Sequence, residues 1–106
     1  MPRFAGDNGA QNQRLIDALA AVAAARGVTP AQLAIAWVRA KSVDAGAPIV
    51  PTMGCRTRAQ LADALAGLDV TLDPSEVAAL EAAVPASAVA GTRYATPMMA
   101  TLDSER

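Results

Sequence analysis

The chain has 106 residues, of which 53% are hydrophobic, but 27 of these are alanines and contribute little to a core. Nine basic and ten acidic residues give a net charge of -1, so the sequence lacks the positive surface that nucleic acids or anionic membranes attract. A chain of this length predicts one small domain and excludes a complete large enzyme barrel.

Side chains that carry out acid–base or metal chemistry are scarce. The sequence has no His, and Lys41, Tyr94 and Cys55 are the single residues of their types. Because zinc and iron–sulfur sites usually need His or several Cys, we predict no metal site and no intrachain disulfide. No apolar run approaches the roughly 20 residues of a membrane helix, and the first residues lack a secretory signal, which favours a cytoplasmic protein.

The first half of the chain predicts two helices. Apolar residues recur at helical spacing over residues 8–26, and Gly27 is expected to end this helix. Residues 29–32, Thr-Pro-Ala-Gln, combine a hydroxyl N-cap, a proline at the first helical position and a Gln three residues after the cap. This capping box predicts a second helix over residues 30–41, whose nearly continuous apolar sequence indicates burial on more than one side. Residues 42–47 are expected to form a loop.

A short strand is predicted at residues 48–51, where Ile49 and Val50 lie between two prolines. Prolines suit the ends of a strand but not its middle, so only three or four residues can be regular. The chain offers no second strand, and a lone strand leaves its backbone donors and acceptors unpaired. We therefore expect the neighbours of this strand to lie on another segment of polypeptide.

Two further helices and a tail complete the predicted elements. Residues 57–60, Thr-Arg-Ala-Gln, repeat the capping-box pattern and open a helix that runs through Leu68. Residues 73–76, Asp-Pro-Ser-Glu, open a fourth helix that Pro85 stops. Residues 86–106 show no periodicity, which predicts an irregular tail that is ordered only by packing on a larger body.

Four blocks of this sequence together resemble a known family. The blocks are residues 29–38, 49–56, 61–68 and 72–76, and residues 2–4 with Asn12 at the front and residues 91–94 in the tail extend the pattern. Their order and spacing are similar to those of the C-terminal third of the aldo-keto reductases. The resemblance covers residues 1–106 as one partial domain of that family, with residues 86–106 as its tail.

The resemblance implies the fold class, a mostly α chain with one short strand that forms the C-terminal portion of a (β/α)8 TIM barrel. The chain would supply the last barrel strand, two barrel helices, two extra helices and the irregular tail. The neighbours of the strand at Ile49 and Val50 would then be the first and seventh strands of the complete barrel, which accounts for a strand without partners in this sequence.

The family's activity implies a parent enzyme that reduces aldehydes or ketones with NADPH. Its members use an Asp, Tyr, Lys and His set in which the Tyr protonates the carbonyl oxygen. This sequence has no His, and its single Tyr, Tyr94, lies in the tail, so it cannot supply that set. We expect a fragment without catalytic residues that is inactive alone.

The fragment could retain part of the cofactor site of the family. In the family, the loop after the last strand and the start of the next helix hold the adenosine 2′-phosphate of NADPH. By position, Met53 and Gly54 would line this loop, Cys55 would take the place of a Ser or Thr, and Arg56 would pair with the phosphate. The residue pattern also favours an anion site here, because a helix that begins after Thr57 presents free N–H groups at its N-terminus.

Three positions on the following helix complete the comparison with the family. Gln60 matches an Arg or Gln near the ribose phosphate or adenine, and Asp63 stands where an acidic residue is common. Ala64 departs from the pattern, since the family usually has an Asn there that contacts adenine. The loss of those hydrogen bonds predicts weaker NADPH binding.

A second interpretation needs no cofactor. The chain could be a small helical module that self-associates through exposed apolar faces, with Arg56 and Arg58 as solvated surface charges. Under either interpretation we expect Trp37 to lie in the core, and Cys55 to be a small filling residue rather than an activated thiol, because the sequence provides no base or second Cys.

Overall fold

A computed structural model of the chain describes residues 1–102, and the regular structure in this range is helical. The α-helices are α1 (Gly6–Arg26), α2 (Pro30–Ala45), α3 (Arg58–Ala66), α4 (Pro74–Ala83) and the single turn α5 (Thr96–Met99). Short 3-10 turns lie at Pro2–Phe4, Gly67–Asp69 and Ala86–Ala88. The mostly α structure that the sequence predicts is therefore confirmed for the described residues.

Helices α2, α3 and α4 each begin with a capping box, as the sequence predicts. The cap side chains of Thr29, Thr57 and Asp73 each accept a hydrogen bond from the backbone N–H three residues later. At Asp73, hydrogen bonds from the Ser75 hydroxyl and the Glu76 N–H hold the pKa of the carboxyl below its usual range. Since such caps satisfy donors that the first helical turn leaves open, they fix where each helix begins.

The helix ends agree with the sequence at α1 and differ at α2. Gly27 ends α1 in the left-handed conformation, with φ of 78°. Helix α2 continues into the expected loop at residues 42–47 and ends at Ala45, with Gly46 as a left-handed C-cap at φ of 64°. Ser and Asp are weak helix breakers, so α2 extends until the first residue that tolerates a left-handed backbone.

The strand expected at residues 48–51 is not formed in the described chain, which contains no strand. The Ile49 N–H donates to the Ser42 hydroxyl at 2.9 Å, and Val50 is 81% exposed. A strand needs a hydrogen-bonded neighbour, and residues 1–102 provide none at this position. The predicted strand therefore does not form.

The core is small, as the alanine content predicts. Ala23 of α1, Leu33 of α2 and Leu80 of α4 are buried together. Partly buried apolar residues surround this cluster, namely Leu19, Val22, Val28, Trp37, Leu72 and Val84. Helices α1, α2 and α4 thus share one core, while α3 lies beside α2.

Trp37 lines this core and reaches its edge. Its Nε1–H donates to Glu81 Oε1 on α4 at 3.0 Å, and the Lys41 ammonium lies 5.7 Å from the ring centroid. Lys41 also forms an ion pair with Glu81. Trp37 was expected in the core; it is partly buried and packs against the core at its edge, where its indole N–H is satisfied by a charged neighbour.

The tail contains more local structure than the sequence predicts. Within residues 86–102, the 3-10 turn Ala86–Ala88 and the short helix α5 interrupt an otherwise irregular segment. Tyr94 is half-buried, and the Arg93 guanidinium lies 5.8 Å from its ring centroid. The last four positions of the predicted tail, 103–106, lie outside the described residues.

Within residues 1–102, no single helix is long and apolar enough to cross a membrane. Helices α1 and α2 pass that test only as a pair, by length and composition, and they are bent by 87° at the break between them.

Candidate functional site

The loop between α2 and α3 carries most of the site residues that the sequence predicts. Met53 is half-buried, whereas Gly54, Cys55 and Arg56 are exposed. Thr57 then caps α3. Because these positions are consecutive, the structure brings them together at the N-terminus of α3.

Gln60 joins this loop through its side chain. Its Oε1 accepts hydrogen bonds from the Arg56 N–H at 2.7 Å and from the Thr57 N–H at 3.2 Å. Its backbone N–H donates to Thr57 Oγ1 at 3.1 Å. The side-chain carbonyl of Gln60 therefore holds the loop against the first turn of α3.

Two backbone donors at the start of α3 remain open. Within the described chain, the N–H groups of Arg58 and Ala59 have no hydrogen-bond acceptor. The side chains of Arg56 and Arg58 are exposed there and form no ion pair among residues 1–102. A helix N-terminus with open donors and two nearby guanidinium groups favours an anion.

Gly54 leaves space beside this loop. A Cβ added at Gly54 would meet no heavy atom within 4 Å, and its φ is not positive. Neither backbone conformation nor packing requires a glycine there in this structure. That Gly54 admits a ligand close to the backbone stays a prediction.

Cys55 is exposed beside the open donors. The sequence provides no His as a base and no second Cys to resolve an oxidised thiol. Its small side chain is compatible with the Ser or Thr position that the resemblance implies.

Asp63 lies away from the loop, on the side of α3 that faces α2. Its Oδ2 accepts a hydrogen bond from Thr29 Oγ1 at 3.2 Å, and Gln32 Nε2 donates to its Oδ1 at 3.1 Å. The neighbouring Ala64 is only 6% exposed. The structure thus groups Met53, Gly54, Cys55, Arg56 and Gln60, but it does not bring Asp63 to them.

Sequence reasoning missed this connection between the helices. The capping box of Thr29 and Gln32 was predicted from local spacing, but its second role as the partner of Asp63 depends on how α2 and α3 pack. No local pattern in the sequence indicates that contact. Across residues 1–102, no group of three or more His, Cys, Asp or Glu side chains could hold a metal ion.

Comparisons with known proteins identify the family. Residues 2–85 match the family described as "Aldo/keto reductase family". The chain is 33% identical over 93 residues to "Probable aldo-keto reductase 1" from Glycine max, an alignment that covers 88% of this chain and 26% of the relative. No solved structure matches the chain significantly.

The chain therefore belongs to the aldo/keto reductase family. It spans about a quarter of the length of the relative from Glycine max.

Proposed function

We propose that this chain is the C-terminal portion of an NADPH-dependent oxidoreductase that reduces aldehydes or ketones, and that it binds the adenosine 2′-phosphate of the cofactor. Family membership supports the reaction class. One observation carries the phosphate role: the open N–H groups of Arg58 and Ala59 lie at a helix N-terminus that Arg56 flanks.

The residues of the loop fit a phosphate group. Arg56 and Arg58 supply positive charge, and a phosphate oxygen is a suitable acceptor for the two open N–H groups. The phosphate would also lie against the loop residues Met53, Gly54 and Cys55. When bound, NADPH supplies the hydride, and this chain holds the adenosine end of the cofactor away from the reaction.

The adenine is held less well than the phosphate in this proposal. Gln60 already uses its Oε1 within the loop, which leaves its Nε2 amide as the group that can contact the nucleotide. Asp63 would have to release Gln32 before it could reach a ligand. Ala64 offers no side-chain hydrogen bond. Recognition by this chain therefore rests mainly on charge at the 2′-phosphate.

The remainder of a (β/α)8 barrel would cover apolar surface that is exposed here. Leu61, Leu65 and Leu68 lie at helical spacing along α3 and its following turn, yet they are 46%, 48% and 40% exposed. Ile49 and Val50 are 42% and 81% exposed. Since an apolar stripe at this spacing normally faces a core, the barrel strands are the proposed cover, and they would also pair the segment at Ile49.

Calorimetric titration tests the phosphate role. We expect NADPH to bind at least about tenfold more tightly than NADH, because only NADPH carries the 2′-phosphate. Arg56→Ala should remove most of that preference. Arg14→Ala is the matched control, since Arg14 is an exposed arginine on α1 whose side chain hydrogen-bonds Gln11 Oε1 within the described chain. Equal affinities for NADPH and NADH, or equal effects of the two substitutions, would contradict the proposal.

Catalysis would need residues from outside this sequence. With no His and with its single Tyr in the tail, the chain offers no complete proton relay. NADPH mixed with the purified chain and a panel of aldehydes should keep its nicotinamide absorbance. Turnover at an enzyme-like rate would show that the chain contains its own catalytic site.

A further inference from the structure

Asn12 links the N-terminal turn to the start of the tail. Its Nδ2 donates hydrogen bonds to the backbone carbonyls of Arg3 and Ala90, both at 2.8 Å. Its Oδ1 accepts from the Ala90 N–H, also at 2.8 Å. One partly buried amide thus pairs with the backbone of Ala90 in both directions, as a strand neighbour would, while it also holds the N-terminal turn.

Two further hydrogen bonds and one close backbone approach join the same two segments. Arg3 Nε donates to the Gly91 carbonyl at 3.2 Å, and Gln11 Nε2 donates to the Ala88 carbonyl at 3.2 Å. Gly91 has φ of 79°, and a Cβ at this position would lie 2.8 Å from Asn8 Nδ2 and 3.1 Å from the Pro2 carbonyl oxygen. The chain can approach this closely because position 91 has no side chain.

Beyond Gly91 the hydrogen bonds become local. Within the described part of the chain, those of residues 92–99 stay inside the tail, such as Thr92 Oγ1 to the Tyr94 carbonyl and the Met98 N–H to the Ala95 carbonyl. The contacts at residues 88–91 are therefore the hydrogen-bonded attachment of this part of the tail to α1 and the N-terminal turn.

We propose that Asn12 is a latch for the tail and that it holds the tail at Ala90, next to Gly91. When these hydrogen bonds are formed, the tail is docked on the N-terminal turn and the start of α1. When they break, the tail detaches while α1, α2 and α4 keep their shared core. A change that displaces residues 2–4 removes the Arg3 bonds to Gly91 and Asn12 and so weakens the attachment of the tail. This inference does not depend on the nucleotide site.

Hydrogen exchange of individual amides tests the latch. The Ala90 N–H is the direct readout, because its acceptor is Asn12 Oδ1. Asn12→Ala should lower the protection of this amide by about tenfold or more and increase exchange in residues 88–94. Amides of α2 and α4 should keep their protection. Gln13→Ala is the matched control, since the neighbouring Gln13 is exposed and bonds Asp17 Oδ1.

Asn12→Asp gives a second test that preserves the size and polarity of the side chain. The carboxylate can still accept from the Ala90 N–H, but it has no donor for the carbonyls of Arg3 and Ala90 and repels both. We expect faster exchange in residues 88–94 at neutral pH and recovery of protection factors at low pH, where the carboxyl group regains a proton. Unchanged exchange at Ala90 in both variants, or an equal increase throughout α1, α2 and α4, would overturn the latch.

Discussion

Gln32 on α2 donates its side-chain amide to both the carboxylate and the backbone carbonyl of Asp63 on α3, at 3.1 and 3.0 Å. The Oε1 of the same Gln32 accepts from the Thr29 N–H and closes the capping box of α2. One side chain therefore begins a helix and joins it to the next. This link sets the position of α3, whose N-terminus carries the proposed phosphate site.

The first prediction concerns this link. Asp63→Ala should lower the free energy of unfolding by about 1–3 kcal/mol, because it removes the carboxylate that accepts from the Thr29 hydroxyl and leaves the Gln32 amide with only the backbone carbonyl of residue 63 on α3. Asp17→Ala is the control, since Asp17 is exposed and, within residues 1–102, its side chain bonds only Gln13 on its own helix. Urea unfolding measures the difference. Equal losses in the two variants would show that Asp63 does not hold the helices together.

The second prediction concerns the close approach of α2 to the turn after α3. A Cβ at Gly67 would lie 3.0 Å from Gln32 Cα and 3.2 Å from Ile35 Cβ, whereas a Cβ at Gly54 would meet nothing within 4 Å. Gly67→Ala should therefore cost about 1–3 kcal/mol of stability through overpacking, and Gly54→Ala should cost little. Chemical denaturation of the two variants side by side checks this, and an unaffected Gly67→Ala variant would contradict the packing described here.

The third prediction separates backbone strain from crowding at Gly91. Gly46 and Gly91 both have positive φ, at 64° and 79°, but only a Cβ at Gly91 would meet neighbouring atoms. Both alanine variants should lose stability from the left-handed backbone, by about 1–2 kcal/mol. Gly91→Ala should lose more, since it also crowds Pro2 and Asn8. Equal melting temperatures for the two variants would show that the tail does not approach the N-terminal turn as described.

The fourth prediction is a pH dependence centred on Glu81. Hydrogen bonds from Lys41 first, and from Trp37 second, hold the pKa of Glu81 below its ordinary value of 4.5. The hydrogen bond from Lys41 to Glu81 in turn raises the pKa of Lys41 above its ordinary value of 10.5. A lowered carboxyl pKa stabilises the fold above the unfolded value and loses this effect as the pH falls through the folded value. The raised Lys41 pKa stabilises below 10.5 and loses its effect as the pH rises above it.

Trp37 is the single tryptophan, so its fluorescence reports directly on this cluster. The emission of the native protein should titrate with a midpoint below 4.5. Glu81→Gln should abolish that transition, because the amide does not ionise. A midpoint at or above the ordinary Glu value, or the same transition in the Gln variant, would contradict the described contacts.

The sequence predicted those features that depend on near neighbours. Thr29, Thr57 and Asp73 were identified as caps because each needs only a partner three residues away, and all three caps form. The end of α1 at Gly27 was predicted for the same reason, since a left-handed C-cap favours glycine whatever the tertiary structure. The loop at residues 53–56 stays together because its positions are consecutive.

Features that depend on distant partners were not predictable. Ile49 and Val50 have strand-forming side chains, but a strand also requires a neighbour, and the described chain has none for them. Asp63 is close to the loop in sequence, yet helical geometry turns it towards α2, where Gln32 is available. The bond between Asn12 and Ala90 joins positions separated by 78 residues, beyond the reach of any local pattern.

The most direct test of the proposed phosphate site is the response of individual backbone amides to adenosine 2′,5′-bisphosphate, followed by two-dimensional nitrogen–proton NMR. We expect the amides of Arg58 and Ala59, which have no acceptor in the described chain, to show the largest shifts, and we expect Arg56→Ala to weaken the response. Adenosine 5′-monophosphate, which lacks the 2′-phosphate, should produce much smaller shifts. Unmoved Arg58 and Ala59 amides, or equal responses to the two nucleotides, would contradict a 2′-phosphate site at the N-terminus of α3.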